Sequence, residues 1–341
     1  MMDNINDNFT LSDVINGPLL AAAFATEMIG GLITNSLVLI LTASHLKTWK
    51  QPTTIFLSNM LLNNLVIGIC IIPFAIITAA VGEWIFGRTE KEKETVCQVV
   101  GCIFTFTILT ATESLVLLSF DRFFFITKSF QYNKYMTVNK ALVIVSLSWA
   151  LAVFLSILPF LGFGVHEFLS GVGLCVAGWN GQTAYAIVSF LVLCIFIGSI
   201  IVTSIWTLCF TRKHIKKTAI RTSIGAERSN HTQERKVIGV FGMLIIVHLL
   251  CYAPIISFGL VESFINVLTP TAYAVAVFIL FLLITLIPLV QSFFRSDIRT
   301  AIVKGSMTVI AFTKRCRTTP HQISTVEMIR PSTPITSSSS I

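Results

Sequence analysis

The sequence predicts an all-α membrane protein, a bundle of seven transmembrane helices. Of the 341 residues 54% are hydrophobic and only 12% are charged, and the mean hydropathy is +0.83. A soluble domain carries about a quarter charged residues, so this chain has more apolar surface than a water-soluble core could bury. Seven apolar segments are each long enough to cross a bilayer as a helix, for which about 20 residues suffice.

The seven segments determine how the chain is organised. They lie near residues 18–44, 53–81, 97–126, 139–162, 183–211, 235–261 and 269–294. Their apolar runs are continuous rather than alternating, which excludes a closed transmembrane barrel. We expect residues 1–17 to form a polar tail, 18–305 the membrane domain and 306–341 a second tail. The polar start lacks the basic stretch of a signal peptide, so the first segment is expected to direct its own insertion.

The basic residues predict the orientation of the bundle. Of the 24 Lys and Arg, 21 lie in 45–52, 122–140, 212–236 or after 294, and the others are Arg88, Lys91 and Lys93. The positive-inside rule then places the N-terminus outside and the C-terminus in the cytoplasm of a multi-pass plasma-membrane protein. The net charge of +8 therefore faces anionic lipid and an acidic partner rather than nucleic acid.

Asn8 begins an Asn-Phe-Thr tripeptide on the expected outer side. This is the acceptor pattern for N-glycosylation, although such a tripeptide also arises by chance. The eight cysteines include no CxxC pair, which argues against a zinc or redox site. We expect no metal and no cofactor.

A charged pair, Asp121-Arg122, ends the third apolar segment. An unpaired ion in hydrocarbon costs several kcal/mol. The pair therefore either marks the membrane edge or has fixed partners.

With its seven segments and its Asp-Arg-Phe sequence, the chain resembles the rhodopsin-like family of G-protein-coupled receptors. The other landmarks are Asn35, Asn64 with Pro73, Trp84-Ile85-Phe86-Gly87, Trp149 with Pro159, Cys251-Tyr252-Ala253-Pro254 and Ile287-Pro288-Leu289-Val290-Gln291. The resemblance covers residues 18–305, and SFFRSDIRTAI after the last segment resembles the family's short amphipathic eighth helix.

The resemblance implies a mechanism for passing a signal to a heterotrimeric G protein. Arg122 and Glu234 correspond to an ionic latch between the third and sixth helices in the resting state. Alternatively, Glu234 only caps a basic face. The corresponding switch residues are Tyr252, Pro254, His248, Pro288 and Gln291.

Several positions depart from the family pattern. The usual sodium pocket corresponds to Asn64, Ala111, Leu283 and Ile287. None of these is a carboxylate, so we expect no sodium allostery. Two carboxylates, Glu27 and Glu113, lie instead within apolar segments, where each is either a functional group or a partner for a neighbouring helix.

The resemblance also identifies a ligand pocket. Its expected lining is Phe104, Thr105, Ile108, Tyr252, Ile255, Ile256, Tyr273, Val277 and Phe281. Phe104 stands where amine receptors carry an Asp, and Phe281 where opsins carry the retinal Lys. This mostly apolar lining favours a lipid or a small odorant-like molecule. Charged residues 88–94, with Glu167 and Glu262, leave a small basic peptide as an alternative.

The cysteine positions and the C-terminal tail indicate a disulfide and two kinds of covalent modification. Cys97 and Cys175 correspond to the family's outer disulfide. Cys316 lies among basic residues and is either a palmitoylation site or a free thiol. Residues 318–341 contain eleven Ser or Thr; phosphorylated, they would attract arrestin-type partners, and an inert tail is the alternative.

The sequence thus favours a non-enzymatic receptor with an unidentified extracellular ligand. A receptor-like protein with weak coupling is a second reading because of the changes in the second, sixth and seventh segments. A transporter would need symmetric halves with broken helices or paired charges, which the sequence does not show.

Overall fold

The computed structural model describes residues 9–44, 51–178, 183–221, 228–265, 269–294 and 298–300, with side chains there except at 129, 183, 212–221, 228–241, 260, 262–265 and 294. The chain divides into two units, Met1–Arg299 and Thr300–Ile341, and the elements below belong to the first. In the described part, seven spans are long and apolar enough to cross a membrane. This confirms the predicted seven-helix bundle.

The helices in chain order are α1 (Gly17–Ser44), α2 (Pro52–Cys70), α3 (Ile72–Val81), α4 (Glu90–Thr127), α5 (Ser129–Tyr135), α6 (Val138–Ser156), α7 (Thr183–Arg221), α8 (Arg228–Ile265) and α9 (Pro270–Phe294). Helices α2 and α3 together form one span, and α5 is too short to cross the bilayer. We call the end of the bundle where α4 finishes the Arg122 end, and the opposite end the disulfide end.

Proline residues interrupt two of the predicted helices. The second span breaks at Ile71, whose φ is −118°, because Pro73 lacks the N–H that would continue the ladder. The fourth segment, expected over 139–162, ends as an α-helix at Ser156 and continues as a 3₁₀ turn over Leu158–Leu161 that contains Pro159.

The charged stretch 88–94, which the predicted start of the third segment near residue 97 leaves outside the helix, is helical from Glu90 onward. The Thr89 side chain accepts a hydrogen bond from the Glu92 N–H at 3.2 Å, and Glu92 accepts one from the Arg88 N–H at 2.7 Å. Lys93 also pairs with Glu90 at 3.5 Å. The expectation was wrong because this capping pattern starts the helix two turns before the apolar run.

Helix α4 lies at the centre of the bundle and contacts α2, α6, α7 and α8. In the apolar window of α4, 56% of the residues are buried, against 11% in those of α6 and α7. Helices α6 and α7 therefore present most of their surface to lipid, whereas α4 is surrounded by protein.

Helices α1 and α9 approach each other closely at Gly31. A Cβ atom there would lie 2.3 Å from Cγ2 of Ile284, so glycine permits the contact. One turn further on, the Asn35 amide donates to the Ile284 carbonyl oxygen at 2.7 Å. The side chain thus bonds two helices that lie 249 residues apart in sequence.

A β-hairpin covers the disulfide end, which the all-α prediction did not foresee. Strands β1 (Val165–Leu169) and β2 (Leu174–Gly178) pair antiparallel, with Phe168 opposite Cys175. The turn between them includes Gly173 at φ +72°, a conformation that glycine adopts without strain.

The segment before α1 lies against the same end. Phe9 accepts a backbone hydrogen bond from Trp84, and Ser12 donates one to Ser170. The Phe9 and Trp84 rings both contact Phe168 of β1, with centroids 5.7 Å and 6.0 Å away. In the described residues, the disulfide end is thus covered by three segments that contact one another.

Candidate functional site

The Asp121 carboxylate organises the Arg122 end of the bundle. It is completely buried, and its Oδ2 accepts from Arg122 Nε at 3.0 Å and from the Thr53 hydroxyl at 2.8 Å. Arg122 also donates to the Thr53 hydroxyl. A buried ion pair is stable only when further hydrogen bonds offset its desolvation, and Thr53 at the start of α2 supplies them.

The second carboxylate oxygen of Asp121 is bonded to α5. The Tyr132 hydroxyl donates to Oδ1 at 2.5 Å, and burial, with the Asp121 charge beside it, raises the pKa of Tyr132. The Tyr132 hydroxyl therefore keeps its proton and remains a hydrogen-bond donor. A hydrogen bond to a charged acceptor is stronger than one between neutral groups. Asp121 thus ties together α2, α4 and α5.

Arg122 is 8% exposed and has an aromatic neighbour. Its Cζ lies 5.1 Å from the centroid of the Phe125 ring, within the range of a cation–π contact. The predicted latch partner, Glu234, lies in α8, but its side chain is outside the described residues. The latch between Arg122 and Glu234 therefore stays a prediction.

A series of polar side chains joins the helices in the middle of the bundle. The Asn64 amide donates to Asn35 Oδ1 at 3.1 Å, and the Asn59 amide donates to the Ser114 hydroxyl at 2.7 Å. Trp149 donates its indole N–H to Asn59 Oδ1 at 2.9 Å. Sequence reasoning identified Asn35, Asn64 and Trp149 as landmarks but did not find their partners.

The positions of the usual sodium pocket line one small cavity. Its volume is about 20 Å³, and Asn64, Ala111, Leu283 and Ile287 all contribute to its wall. A cavity of this size holds about one water molecule. The described wall carries no carboxylate, and the absence of sodium allostery stays a prediction.

Two switch residues lie in the same wall. The His248 and Tyr252 rings are stacked with centroids 5.0 Å apart, and the Tyr252 hydroxyl is 3.4 Å from the Ile108 carbonyl oxygen. Neither nitrogen of His248 has a hydrogen-bond partner among the described residues, although the side chain is only 3% exposed. The small cavity is thus lined on the α8 side by a buried, unpartnered imidazole.

The other switch residues lie in the last two spans, α8 and α9. Pro254 and Pro288 are inside α8 and α9. Gln291 is fully buried, and both polar atoms of its amide lack a partner in the described part of the chain.

The structure brings only some of the predicted ligand-pocket residues together. Ile108, Tyr252 and Phe281 line the small cavity, while Phe104 contacts Phe281 edge-on with centroids 6.3 Å apart. The remaining positions are buried or half-buried and line neither described cavity: Thr105, Ile255, Ile256, Tyr273 and Val277. Their role in ligand binding stays a prediction.

Three phenylalanine rings extend across the bundle above the small cavity. Phe24 of α1 contacts Phe281 of α9 at 5.4 Å, and Phe281 contacts Phe104 of α4. All three rings are at most 8% exposed. Phe104 and Phe281 belong to the predicted pocket, whereas sequence reasoning did not consider Phe24, the third member of this aromatic layer.

Two buried carboxylates have no hydrogen-bond partner among the described residues. Glu27 is 6% exposed and Glu113 is 4% exposed. Phe24 and Gly31 lie three residues before and four after Glu27, and both contact α9. Residues at this spacing share one face of a helix, so Glu27 faces α9 as well.

The predicted disulfide is present. Cys97 and Cys175 are joined with a Cα–Cα distance of 5.4 Å, linking α4 to β2. Next to it, His166 of β1 is 8% exposed, and burial lowers its pKa to about 4. No cluster of three or more metal-ligating side chains occurs among the described residues.

Other predicted sites lie outside the described residues. These are the glycosylation site Asn8, the palmitoylation site Cys316, the Ser/Thr tail, and residues 295–297 and 301–302 of the segment expected to form the amphipathic eighth helix. Each of them stays a prediction.

Comparison with known proteins places this geometry in a family. The sequence profile described as 7 transmembrane receptor (rhodopsin family) matches residues 34–294. Trace amine-associated receptor 13c of Danio rerio is 26% identical over 268 residues, covering 74% of this chain and 74% of that protein. Trace amine-associated receptor 7d of Mus musculus is 23% identical over 318 residues, covering 88% and 86%.

A solved structure supports the same fold. The crystal structure of squid rhodopsin superimposes with a TM-score of 0.75 at 18% identity, covering 92% of this chain and 90% of that one. The chain therefore belongs to the rhodopsin family of seven-transmembrane receptors and is a multi-pass plasma-membrane receptor, not an enzyme.

Proposed function

We propose that this receptor passes an extracellular signal to a heterotrimeric G protein at its Arg122 end. In the proposed orientation the N-terminus is extracellular and the Arg122 end is cytoplasmic, as the distribution of Lys and Arg favours. The observation that carries the proposal is the buried Asp121–Arg122 pair, held by Thr53 and Tyr132. It keeps a guanidinium at the membrane edge, where an acidic partner can exchange contacts with it.

The proposed conformational step is a rearrangement of α4 and α8. Glu234 lies twenty residues before Pro254 in the same helix, α8, or about 30 Å along its axis. A pair between Glu234 and Arg122 would hold α8 against α4 in the resting state. Breaking a partly desolvated pair is costly unless the arginine gains new contacts, which a bound G protein supplies.

A G-protein dissociation assay in cells, run without ligand, tests the coupling. Arg122→Ala is expected to abolish basal coupling, and Glu234→Ala is expected to raise it. Arg88→Ala is the matched control, because Arg88 is an exposed arginine at the disulfide end. Surface expression is held equal in all variants.

The outcomes separate the candidate functions. Basal coupling that survives Arg122→Ala would contradict the proposal. A receptor-like protein with weak coupling predicts no basal signal in the wild type and none on addition of any ligand class. A transporter predicts uptake that does not depend on Arg122.

The proposed ligand is a lipid or a small apolar, odorant-like molecule. Support comes from Phe104 at the position of the amine counter-ion and from the aromatic layer that it forms with Phe24 and Phe281. The hairpin and the N-terminal segment cover the described part of the disulfide end. An apolar ligand dissolved in the bilayer avoids that cover by entering between helices.

A second candidate is an amine ligand, and one observation favours it. Glu27 is buried, lacks a hydrogen-bond partner within the described part of the chain, and is on the face of α1 turned toward α9, beside the aromatic layer. An intramembrane carboxylate of this kind is a candidate for a ligand counter-ion. The two relatives described above are named trace amine-associated receptors, and Glu27 would supply the charge that Phe104 lacks.

Ligand panels distinguish these candidates. Lipids, apolar odorants, small amines and basic peptides are applied to cells carrying the wild type, Glu27→Gln or Glu113→Gln. An apolar ligand predicts responses that survive both substitutions. Amine binding at Glu27 predicts an amine response lost in Glu27→Gln and kept in Glu113→Gln, which is a carboxylate of matched burial. A response to basic peptides alone would support the peptide alternative.

We also propose three modifications outside the described residues. Asn8 would be glycosylated, Cys316 palmitoylated, and the Ser/Thr-rich tail phosphorylated to bind arrestin-type proteins. Mass spectrometry of the receptor from mammalian cells tests each one, with the Asn8→Gln and Cys316→Ser variants as controls.

A further inference from the structure

A second cavity lies at the Arg122 end, on the side of the bundle away from α8. Its volume is about 330 Å³, and we call it the α5 groove because α5 forms one of its walls. Its lining includes Phe56 of α2, Phe120 and Phe124 of α4, Tyr135 of α5, Met136 between α5 and α6, and Ile144 of α6. These walls are apolar. Asp121 also borders the groove, but the carboxylate is completely buried and bonded to Thr53, Arg122 and Tyr132.

The α5 groove lies on the lipid-facing side of the bundle. Phe120 in its wall is 47% exposed, and the neighbouring α6 residues Val143 and Leu147 are 58% and 65% exposed. Exposed apolar side chains on a transmembrane helix contact hydrocarbon. The occupant best matched to this position is therefore an acyl chain rather than a water-soluble molecule.

The rim of the groove is cationic. Residues 122–166 include Arg122, Lys128, Lys134 and Lys140 but no Asp or Glu. Arg122 is bonded to Asp121, whereas the three lysines are exposed to solvent.

Each lysine is placed next to a residue of the groove wall. Lys134 Nζ lies 5.8 Å from the centroid of the Tyr135 ring. Lys140 precedes Ile144 by one turn of α6, and Lys128 follows Phe124 by one turn, with its N–H bonded to the Phe124 carbonyl at 3.0 Å. Residues four apart share one helix face. The three charges therefore lie where the groove meets water.

We propose that the α5 groove binds an anionic phospholipid of the adjacent leaflet. One acyl chain fills the groove, and Lys134 and Lys140 bind the phosphate, with Lys128 adding to the local field. Basic clusters beside transmembrane helices attract anionic headgroups, and the apolar cleft adds a site for the chain. The charge of the rim selects this occupant over a zwitterionic lipid.

Binding there would also stabilise the Asp121 cluster. Helix α5 carries both Tyr135, which lines the groove, and Tyr132, which donates to Asp121. A lipid held between α4, α5 and α6 would keep α5 in place against α4. The groove is thus a site at which membrane composition acts on the Arg122 end.

Native mass spectrometry of the purified full-length receptor tests the proposal. The protein is released from nanodiscs containing phosphatidylglycerol and phosphatidylcholine in equal amounts and with identical acyl chains. We expect retained lipid to be mainly phosphatidylglycerol. The Lys134→Gln/Lys140→Gln variant should lose that retention by about fivefold for each lysine removed, while Lys91→Gln/Lys93→Gln at the other end should behave as the wild type.

A groove-filling variant separates the cleft from the charges. Ile144→Trp keeps both lysines and should reduce retention of both lipids, because its indole takes the place of the acyl chain. Equal retention of the two lipids by the wild type would overturn the proposal. Unchanged retention in Lys134→Gln/Lys140→Gln or in Ile144→Trp would overturn it as well. The lysine variant alters exposed side chains only, so its result does not depend on how well Ile144→Trp folds.

Discussion

Acidification is predicted to weaken the hairpin at the disulfide end through His166. The imidazole lies against Gly101 of α4 and the Phe160 ring, and His166 is paired with Ala177 across the hairpin. None of these neighbours carries a charge, so none of them compensates the protonated ring for its lost hydration. Burial accordingly lowers the pKa of His166 from 6.5 to about 4.

The size of the effect follows from this difference in pKa. The folded hairpin favours the neutral ring, so its contribution to stability is fully present above pH 6.5 and is lost as the pH falls toward 4. A difference of about 2.5 pKa units corresponds to about 3 kcal/mol in total, of which about 2 kcal/mol is already lost at pH 5. For a chain of this size, that lowers the thermal midpoint by about 3 °C.

Thermal unfolding of the purified receptor between pH 8 and pH 5 measures this loss. The comparison is with His166→Gln, which removes the titrating group but keeps a side chain of similar length. The difference in midpoint between the two proteins should change by about 3 °C over this pH range, with the wild type losing more. A difference that stays constant with pH would refute the reasoning, because every other titrating group is common to both proteins.

Three further predictions concern the bundle itself. Tyr132→Phe removes a hydrogen bond to a buried carboxylate, which costs about 2 kcal/mol. It should lower the thermal midpoint and raise basal signalling, whereas the exposed Tyr135→Phe should change neither. Gly31→Ala places a methyl group against α9 and should destabilise the receptor by about 1–2 kcal/mol. Gly198→Ala, where the added Cβ would have no atom within 4 Å, should stabilise the receptor by up to about 1 kcal/mol. Equal changes in the thermal midpoint for the two glycine variants would contradict the close contact of Gly31 with α9. Replacing sodium with a large organic cation should leave the thermal midpoint unchanged, because Asn64 offers no carboxylate, and a sodium-dependent midpoint would show that a cation binds.

The seven helices could be predicted because the bilayer imposes a strong constraint on sequence. Every backbone group in hydrocarbon must be bonded within its own segment, so each span is a continuous apolar run. The same reasoning failed at Glu90, where α4 extends into water. There the helix depends on the Thr89 cap and the Glu92 side chain. This short local pattern is not visible when the stretch is judged only by its charged composition.

The contacts of the Asp121 cluster could not be predicted in the same way. The Asp121-Arg122 pair was visible as a charge at the end of an apolar run, and that position required either water or fixed partners. Its partners are a threonine 68 residues earlier, at the start of α2, and a tyrosine 11 residues later, in the short helix α5. Any Ser, Thr or Tyr near the membrane edge satisfies the same chemistry, so only the folded arrangement selects Thr53 and Tyr132.

For the two buried carboxylates, the sequence predicted the unusual positions but not the surroundings. Their position in apolar segments marked Glu27 and Glu113 as exceptional, since most intramembrane acids have a partner. The sequence could not distinguish a partnered acid from an unpartnered one, because that depends on which helix each residue faces. The face of α1 that holds Phe24, Glu27 and Gly31 is turned toward α9, and no described group there bonds the carboxylate. For this reason Glu27, rather than the more central Glu113, is the residue whose substitution decides between an amine and an apolar ligand.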